Sequence, residues 1–182
     1  HSCNESCPIC YLSNTNISDL SLKSIKKSIA ARHEKKVRIS GGEPTKREDL
    51  PEIIKFISQE GKIPILVTNG LRLKDKNYVR QLKKAGLQYL LFSFNSFSDH
   101  VYEKINGRKL LKVKLEAMKN VIKEGLRITL SVTLVRQSNE NELKKFFRFC
   151  FRNSDSIVEL RLRNTTAVGR YFPNAPFVSS EV

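Results

Sequence analysis

The chain holds 182 residues, 40% hydrophobic and 28% charged, with 33 Lys and Arg against 18 Asp and Glu for a net charge of +15. That composition is too apolar for a disordered chain, and no run approaches the ~20 apolar residues that a membrane helix needs. The positive excess favours anionic partners such as nucleic acid or acidic lipid headgroups, although charge alone names none of them.

By length the chain is one domain, and no cationic leader followed by an apolar stretch marks secretion. A cysteine-bearing segment comes first. The pattern then predicts a helix over 19–32 opened by Ser18, a short strand over 37–40, and a helix over 48–60 stopped by Gly61. A strand over 65–68 follows, then a helix over 75–85 ending at Gly86 and a strand over 89–95. A short helix over 99–105 precedes a longer one over 113–124, closed by Gly125. The longest strand, 127–135, leads to a helix over 140–152 and a last strand over 157–163. The glycines and the opening Ser and Asn residues are stop and start signals. Strands alternating with helices over so many cycles imply a parallel sheet with helical crossovers. This α/β unit spans 1–170 and leaves 171–182 as an extended C-terminal tail without cysteine.

The strands alternate in polarity. Ile128, Leu130, Val132 and Leu134 share one face, with Thr129, Ser131 and Thr133 on the other. Val158, Leu160 and Leu162 oppose Glu159, Arg161 and Arg163, and Leu90, Phe92 and Phe94 oppose Ser93 and Asn95. A parallel strand buried on both sides is apolar nearly throughout, and a closed eight-stranded barrel fills its lumen with branched apolar chains. Here the second face is polar, so it lines a wide, ligand-filled cavity. An antiparallel sheet with one wet face is the other reading, and the intervening helices oppose it.

Cys3, Cys7 and Cys10 carry the chemistry. Three thiolates spaced by four and then three residues can hold three irons of a cubane cluster and leave one iron open to a ligand. A zinc site of three cysteines and a histidine uses similar spacings, with His1 or His33 as fourth ligand. Disulfides fit poorly, because an odd set this close closes no useful loop. Cys150, among phenylalanines, reads as a small buried hydrophobe. Reduced thiols of this kind suit the cytoplasm. The lysines are dispersed: Lys23, Lys26 and Lys27 on one helix, Lys83 and Lys84 on another, Lys144 and Lys145 on a third. Solvated helix faces look like this.

The first strand runs into Gly41-Gly42-Glu43-Pro44. Ligands bind at the carboxyl ends of parallel strands, and two glycines there let backbone approach a ligand closely. Together with Thr68-Asn69-Gly70 and Ser93-Phe94-Asn95 after the next two strands, this constellation resembles the radical S-adenosylmethionine superfamily over nearly the whole chain. The resemblance implies a partial (β/α)6-type TIM-like barrel of parallel strands. The family barrel begins with a strand ahead of the cluster loop, whereas His1 lies two residues before Cys3, so that first strand is expected to be missing from these residues.

The resemblance further implies that Cys3, Cys7 and Cys10 ligate a [4Fe–4S] cluster whose fourth iron takes the amino and carboxylate groups of S-adenosylmethionine. Gly41, Gly42 and Glu43 would hold the methionine amino group, largely through backbone. Ile9 stands where an aromatic residue often lies beside the adenine, and an aliphatic chain packs there without stacking. Ser93 and Asn95 would reach the ribose or sulfonium region, where many members carry an acid; an amide still hydrogen-bonds a hydroxyl. Ser131 and Arg136 would contact the methionine carboxylate. The implied enzyme cleaves S-adenosylmethionine reductively to a 5′-deoxyadenosyl radical, which takes a hydrogen atom from a substrate. A reductant such as ferredoxin or flavodoxin would supply the electron.

For the substrate, the alternation points Arg38, Arg161 and Arg163 into one cavity, with Thr68 at a strand end beside it. Arginine clusters favour carboxylates and phosphates, so an anionic substrate is expected. Pairing with Glu43 or Glu159 is the alternative use of these arginines. RNA suits the charge, and a peptide is another route. A lipid or other anionic metabolite suits Tyr102-Glu103-Lys104-Ile105-Asn106-Gly107-Arg108, which looks like segments of lipid-modifying members. The rival from a different class is a basic zinc-binding RNA-interaction module without catalysis.

Overall fold

The computed structural model describes residues 2–12 and 18–165; His1 and the tail expected over 171–182 lie outside them. Eleven regular elements alternate along the chain: α1 (Leu22–Ala30), β1 (Lys36–Ile39), α2 (Leu50–Gln59), β2 (Ile63–Thr68), α3 (Lys76–Lys84), β3 (Tyr89–Ser93), α4 (Asp99–Asn106), α5 (Leu111–Lys123), β4 (Arg127–Leu134), α6 (Leu143–Arg152) and β5 (Ile157–Asn164). Short 3-10 turns at Pro44–Lys46, Leu71–Lys74 and Glu140–Glu142 complete the described elements.

The five strands form one parallel sheet in the order β1-β2-β3-β4-β5. Each strand pairs with the next in sequence, and at least one helix crosses back between them. This is the repeat of an α/β barrel wall, open here and not closed. Among the described residues no helix is long and apolar enough to cross a membrane.

One face of the sheet packs on the helices. Leu66, Leu90, Phe92, Ile128, Leu130 and Val132 meet Leu50, Ile54, Val79, Leu82, Met118, Val121 and Phe146 in one continuous core. Fully burying such a side chain contributes about 1.5–3 kcal/mol, which makes this layer the main source of stability. The opposite face changes character across the sheet. Its register rows read Val67, Leu91, Thr129 and Glu159, then Ser93, Ser131 and Arg161, then Thr133 and Arg163. Most of the polar lining is therefore carried by β4, β5 and the end of β3, with Arg38 of β1 on the same face in the row of Ile65, while Val67 and Leu91 keep β2 and β3 apolar.

Two expectations are corrected. Ser18 does not open α1; Ser21 does, with its Oγ accepting the Ser24 N–H at 3.2 Å. Residues 18–20 stay out of the helix, and the Leu20 carbonyl is taken by Arg47 at 3.0 Å. The apolar face of β5 is only partly covered, with Val158 at 51% and Leu162 at 39% exposure. A register shift leaves Val158 without a partner, because Ile157 pairs with Ile128 and Glu159 with Thr129. Bulges of this kind are common on sheet edges.

Past β3 the chain is steered by rings. Phe94 lies 5.1 Å from Phe97, 6.3 Å from Tyr102, 6.3 Å from Phe146 and 5.9 Å from Phe149, centroid to centroid. These contacts bind the β3–α4 loop to α6 and fix where Asn95 and α4 stand.

Candidate cluster and nucleotide site

A single carboxylate ties the ends of β1 and β2 together. Glu43 is 3% exposed. Its Oε1 accepts from Thr45 N–H at 3.0 Å, Thr45 Oγ1 at 2.7 Å and Thr68 Oγ1 at 2.7 Å, and its Oε2 from Asn69 N–H at 2.7 Å. Hydrogen bonds to a buried carboxylate are the strong kind, so the Gly41-Gly42-Glu43 loop is held rigidly against the end of β2.

The cysteine segment is moored onto this platform. Glu43 N–H donates to the Ser2 carbonyl at 2.9 Å. Asn69 Nδ2 reaches Asn4 Oδ1 at 2.7 Å, and Arg108 reaches the Asn4 carbonyl at 3.2 Å. A turn bond from Cys10 N–H to the Cys7 carbonyl at 3.1 Å curls the segment. Cys3, Cys7 and Cys10 are free and half-buried. Two sulfurs receive donors: Cys3 Sγ from Glu5 N–H at 3.4 Å, and Cys7 Sγ from Asn106 Nδ2 at 3.1 Å. Burial pushes the Cys7 thiol up to about 11, with Asn106 and Lys114 pulling the other way. A metal's charge reverses that sign, since a coordinating thiol is deprotonated outright.

Beneath the segment lies a buried cation. Lys114 is fully buried, and its Nζ donates to the carbonyls of Asn69 and Ser93, each at 2.9 Å, at the ends of β2 and β3. It stands 5.7 Å from the Tyr102 ring centroid. Burial pulls its pKa down, while the charges of Glu5, Cys7 and Glu43 pull it up. Sequence reasoning passed over Lys114, yet a signal existed: Lys114, Ala117, Met118 and Val121 form the buried stripe of α5, and a lysine on an apolar stripe needs a reason. Glu5 and Asn106 carried no comparable signal.

These residues fit an iron–sulfur cubane, which spreads its thiolates over separate irons and takes N–H donors to its sulfurs. Among the described residues no three His, Cys, Asp or Glu side chains gather tightly enough for one metal ion, and His33 is exposed. His1, the other expected zinc ligand, lies outside the described residues.

The remaining expected residues fall into three groups. Ile9 packs against Val101, Ile105 and Val135, close to the cysteines. Ser93 and the buried Ser131 share one row of the polar face, and Arg136 is exposed just after β4. Asn95 and Thr68 are committed inside the protein. The Asn95 Oδ1 accepts Thr133 N–H at 3.0 Å, its Nδ2 points to Asn106 Oδ1 at 3.4 Å, and its carbonyl accepts Asn139 Nδ2 at 2.7 Å. Thr68 Oγ1 serves Glu43 and accepts Gly70 N–H at 2.9 Å.

The arginines do not act as one set. Arg161 is taken by Glu159 at 2.8 Å and 3.0 Å. With Thr129 also donating, Glu159 is held below the usual carboxylate range. Arg38 stands in the row of Ile65, Tyr89 and Arg127, four residues short of the Ser131 and Arg161 row along β4. Arg163 is exposed beside Thr133 and makes no ion pair among the described residues. A cleft of about 840 Å³ opens along the free edge of β1, bordered by Ile25, Ile29, Val37, Gly41, Gly42 and Ser2 among others; it reaches the glycine loop but not the cysteines.

Comparison with known proteins agrees with this geometry. The model of the radical SAM superfamily matches residues 1–150. The chain is 34% identical over 179 residues to 7,8-dihydro-6-hydroxymethylpterin dimethyltransferase of Methanocaldococcus jannaschii, covering 92% of this chain and 35% of that protein. It is 31% identical over 175 residues to a probable GTP 3′,8-cyclase of Sulfolobus acidocaldarius, covering 93% and 55%. The chain thus spans about a third to about half of the curated relatives it matches. Among solved structures it is similar to Streptococcus suis SuiB bound to S-adenosylmethionine, with TM-score 0.75, 20% identity, and 93% of this chain and 40% of that one covered. Methylornithine synthase gives TM-score 0.73 at 14% identity, over 98% and 56%; at these identities the likeness is one of fold. The moored cysteine segment, the parallel half-barrel and the match across residues 1–150 place this chain in the radical SAM superfamily, whose members use a [4Fe–4S] cluster and S-adenosylmethionine.

Proposed function

We propose that the chain is the cofactor-holding core of a radical enzyme acting on an anionic heterocyclic metabolite of the purine or pterin class. In this reading it works in the cytoplasm with ferredoxin or flavodoxin as reductant. The observation that carries it is the mooring of the cysteine segment, through Ser2, Asn4 and Cys7, to the carboxyl ends of the strands and the end of α4.

Cys3, Cys7 and Cys10 hold the cluster. Backbone at Gly41, Gly42 and Glu43 receives the methionine amino group, and the Glu43 side chain keeps that backbone rigid. Ser131 and Arg136 meet the methionine carboxylate, Ser93 the ribose, and Ile9 packs beside the adenine. When bound, the cluster and S-adenosylmethionine supply one-electron carbon–sulfur cleavage and a carbon radical that removes hydrogen from substrate. Val67 and Leu91 form a dry wall that shields the reaction from water. Arg163, which makes no ion pair among the described residues, offers its guanidinium fork to a phosphate or carboxylate. Two relatives named for a reduced pterin and for GTP support a ring-bearing, anionic substrate. The dispersed lysines favour it over RNA.

The test is anaerobic reconstitution followed by assay for 5′-deoxyadenosine with dithionite. A brown protein containing iron and sulfide is expected, with product formation that rises when GTP or a reduced pterin is added. Cys7→Ala should lose more than about 100-fold of the product, beyond what a supporting contact alone contributes. A colourless protein holding zinc would sink the assignment. Stimulation by neither ligand would sink the substrate class alone.

A further inference from the structure

Three asparagines are buried between β4, α4 and the cysteine segment: Asn95 at 3%, Asn106 at 6% and Asn139 at 0% exposure. Buried amides are costly unless every polar atom is used, so three in one place call for an account. They form a directed chain. The Thr133 backbone N–H, which can only donate, gives its hydrogen to Asn95 Oδ1 at 3.0 Å. That fixes the Asn95 amide with Nδ2 facing Asn106, where it meets Oδ1 at 3.4 Å. The Asn106 oxygen is thereby occupied, and its Nδ2 is left facing Cys7 Sγ at 3.1 Å. An amide's orientation is normally ambiguous; here a backbone donor sets it and the setting passes from link to link.

The chain is clamped along its length. Asn139 Nδ2 donates to the carbonyls of Asn95 at 2.7 Å and Thr133 at 2.8 Å, and its Oδ1 accepts Val135 N–H at 2.8 Å. Asn95 N–H donates to the buried Tyr102 hydroxyl at 3.2 Å. Asn106 is the last residue of α4, released by Gly107 in the left-handed region at φ 82. The donor aimed at Cys7 is therefore rigid, and it comes from a residue 99 positions away in sequence.

We propose that Asn106 is a positioning residue that sets the reduction potential of the cluster by donating its amide hydrogen to the Cys7 sulfur. The inference rests on Cys7 being a cluster ligand. A donor to a ligand sulfur draws off negative charge, and hydrogen bonds to the sulfurs are one of the protein's levers on cluster potential. Reduction moves one electron from a low-potential donor, dithionite in the test, onto the oxidised cluster; no proton moves and the cluster gains one negative charge. The amide favours that more negative member of the pair. Without it the potential falls.

The test is an EPR-monitored redox titration of the reconstituted full chain. Asn106→Leu, close in size and without a donor, should lower the ratio of reduced to oxidised cluster about tenfold at a fixed potential, a shift of ~59 mV for one electron. Asn106→Asp keeps the oxygen facing Asn95 but turns an acceptor toward Cys7, and should shift the potential further down. Asn106→Gln, which retains the amide on a longer stem, should recover part of the loss. If Asn106→Leu does not hold a cluster, the Gln and Asp variants decide: Gln above Asp supports the proposal, and equal potentials overturn it. Lower thermal stability with an unmoved potential would assign Asn106 a purely structural role and overturn the proposal. A wild-type chain that assembles no cluster overturns the cofactor assignment itself, a failure visible before any titration.

Discussion

Tyr78 lies on α3 with its ring under the Arg72 guanidinium, 4.1 Å from centroid to Cζ. Its hydroxyl is buried and finds no hydrogen-bond partner among the described residues. Burial pushes its pKa up to about 12, with the Arg72 charge opposing. A free tyrosine titrates near ~10, so the fold favours the protonated form. The resulting stability is complete below that pH and is lost as pH rises toward the folded value. Tyr78→Phe keeps the ring over Arg72 and removes an unsatisfied hydroxyl, a group that costs about 1–3 kcal/mol when buried alone. Urea unfolding should show about 1 kcal/mol of added stability at neutral pH and a flatter decline on the alkaline side. A loss at neutral pH would reveal a partner for the hydroxyl.

The turn after β2 joins packing to the site. Gly70 has φ 79, and a Cβ built there would lie 2.3 Å from the Phe92 ring, inside the main core. Gly61, after α2, has φ 69 and nothing within 4 Å. Both substitutions to alanine carry the left-handed penalty of about 1–2 kcal/mol, but only Gly70→Ala adds overpacking of about 1–3 kcal/mol. Gly70→Ala should therefore lower stability by about 3 kcal/mol and Gly61→Ala by about 1 kcal/mol. The two also differ in function. Asn69, next to Gly70, contacts Glu43, Asn4 and Lys114, so iron bound after reconstitution should fall in Gly70→Ala alone. Equal iron content in the two variants would separate this turn from the cluster. At this scale sequence pattern served well, since start residues, stop glycines and alternation are local signals. It failed where a distant contact decided the outcome, as with the Leu20 carbonyl held by Arg47 and the uncovered edge of β5.

Across the whole molecule, the order of strands and the cysteine and glycine segments were readable because each is a short run with its own chemistry. The bond from Asn106 to Cys7 and the Lys114 contacts to two strand ends were not, because they exist only once the sheet has brought distant residues together. For Arg161 the sequence left two uses open, a ligand or a neighbouring acid, and the structure has the local one, with Glu159 two residues away taking its guanidinium. The net charge of +15 is also a property of the whole, and it makes a last prediction possible. Cations spread over several helices repel one another in the compact state. Raising ionic strength from about 10 mM to about 150 mM shortens the screening length from ~30 Å to ~8 Å, which removes long-range repulsion first. The same salt weakens surface pairs such as Lys26–Glu52 at 2.6 Å and Arg80–Glu124 at 2.9 Å, but exposed pairs contribute only about 0–1 kcal/mol each. The buried Glu43 and Lys114 networks are out of reach of solvent ions. Repulsion relieved should outweigh attraction lost, so calorimetry of the metal-free chain should show Tm rising by a few degrees, about 2–4 °C for each kcal/mol gained. A falling Tm over that range would mean that short-range pairing, and not the summed charge, governs the electrostatic part of this fold's stability.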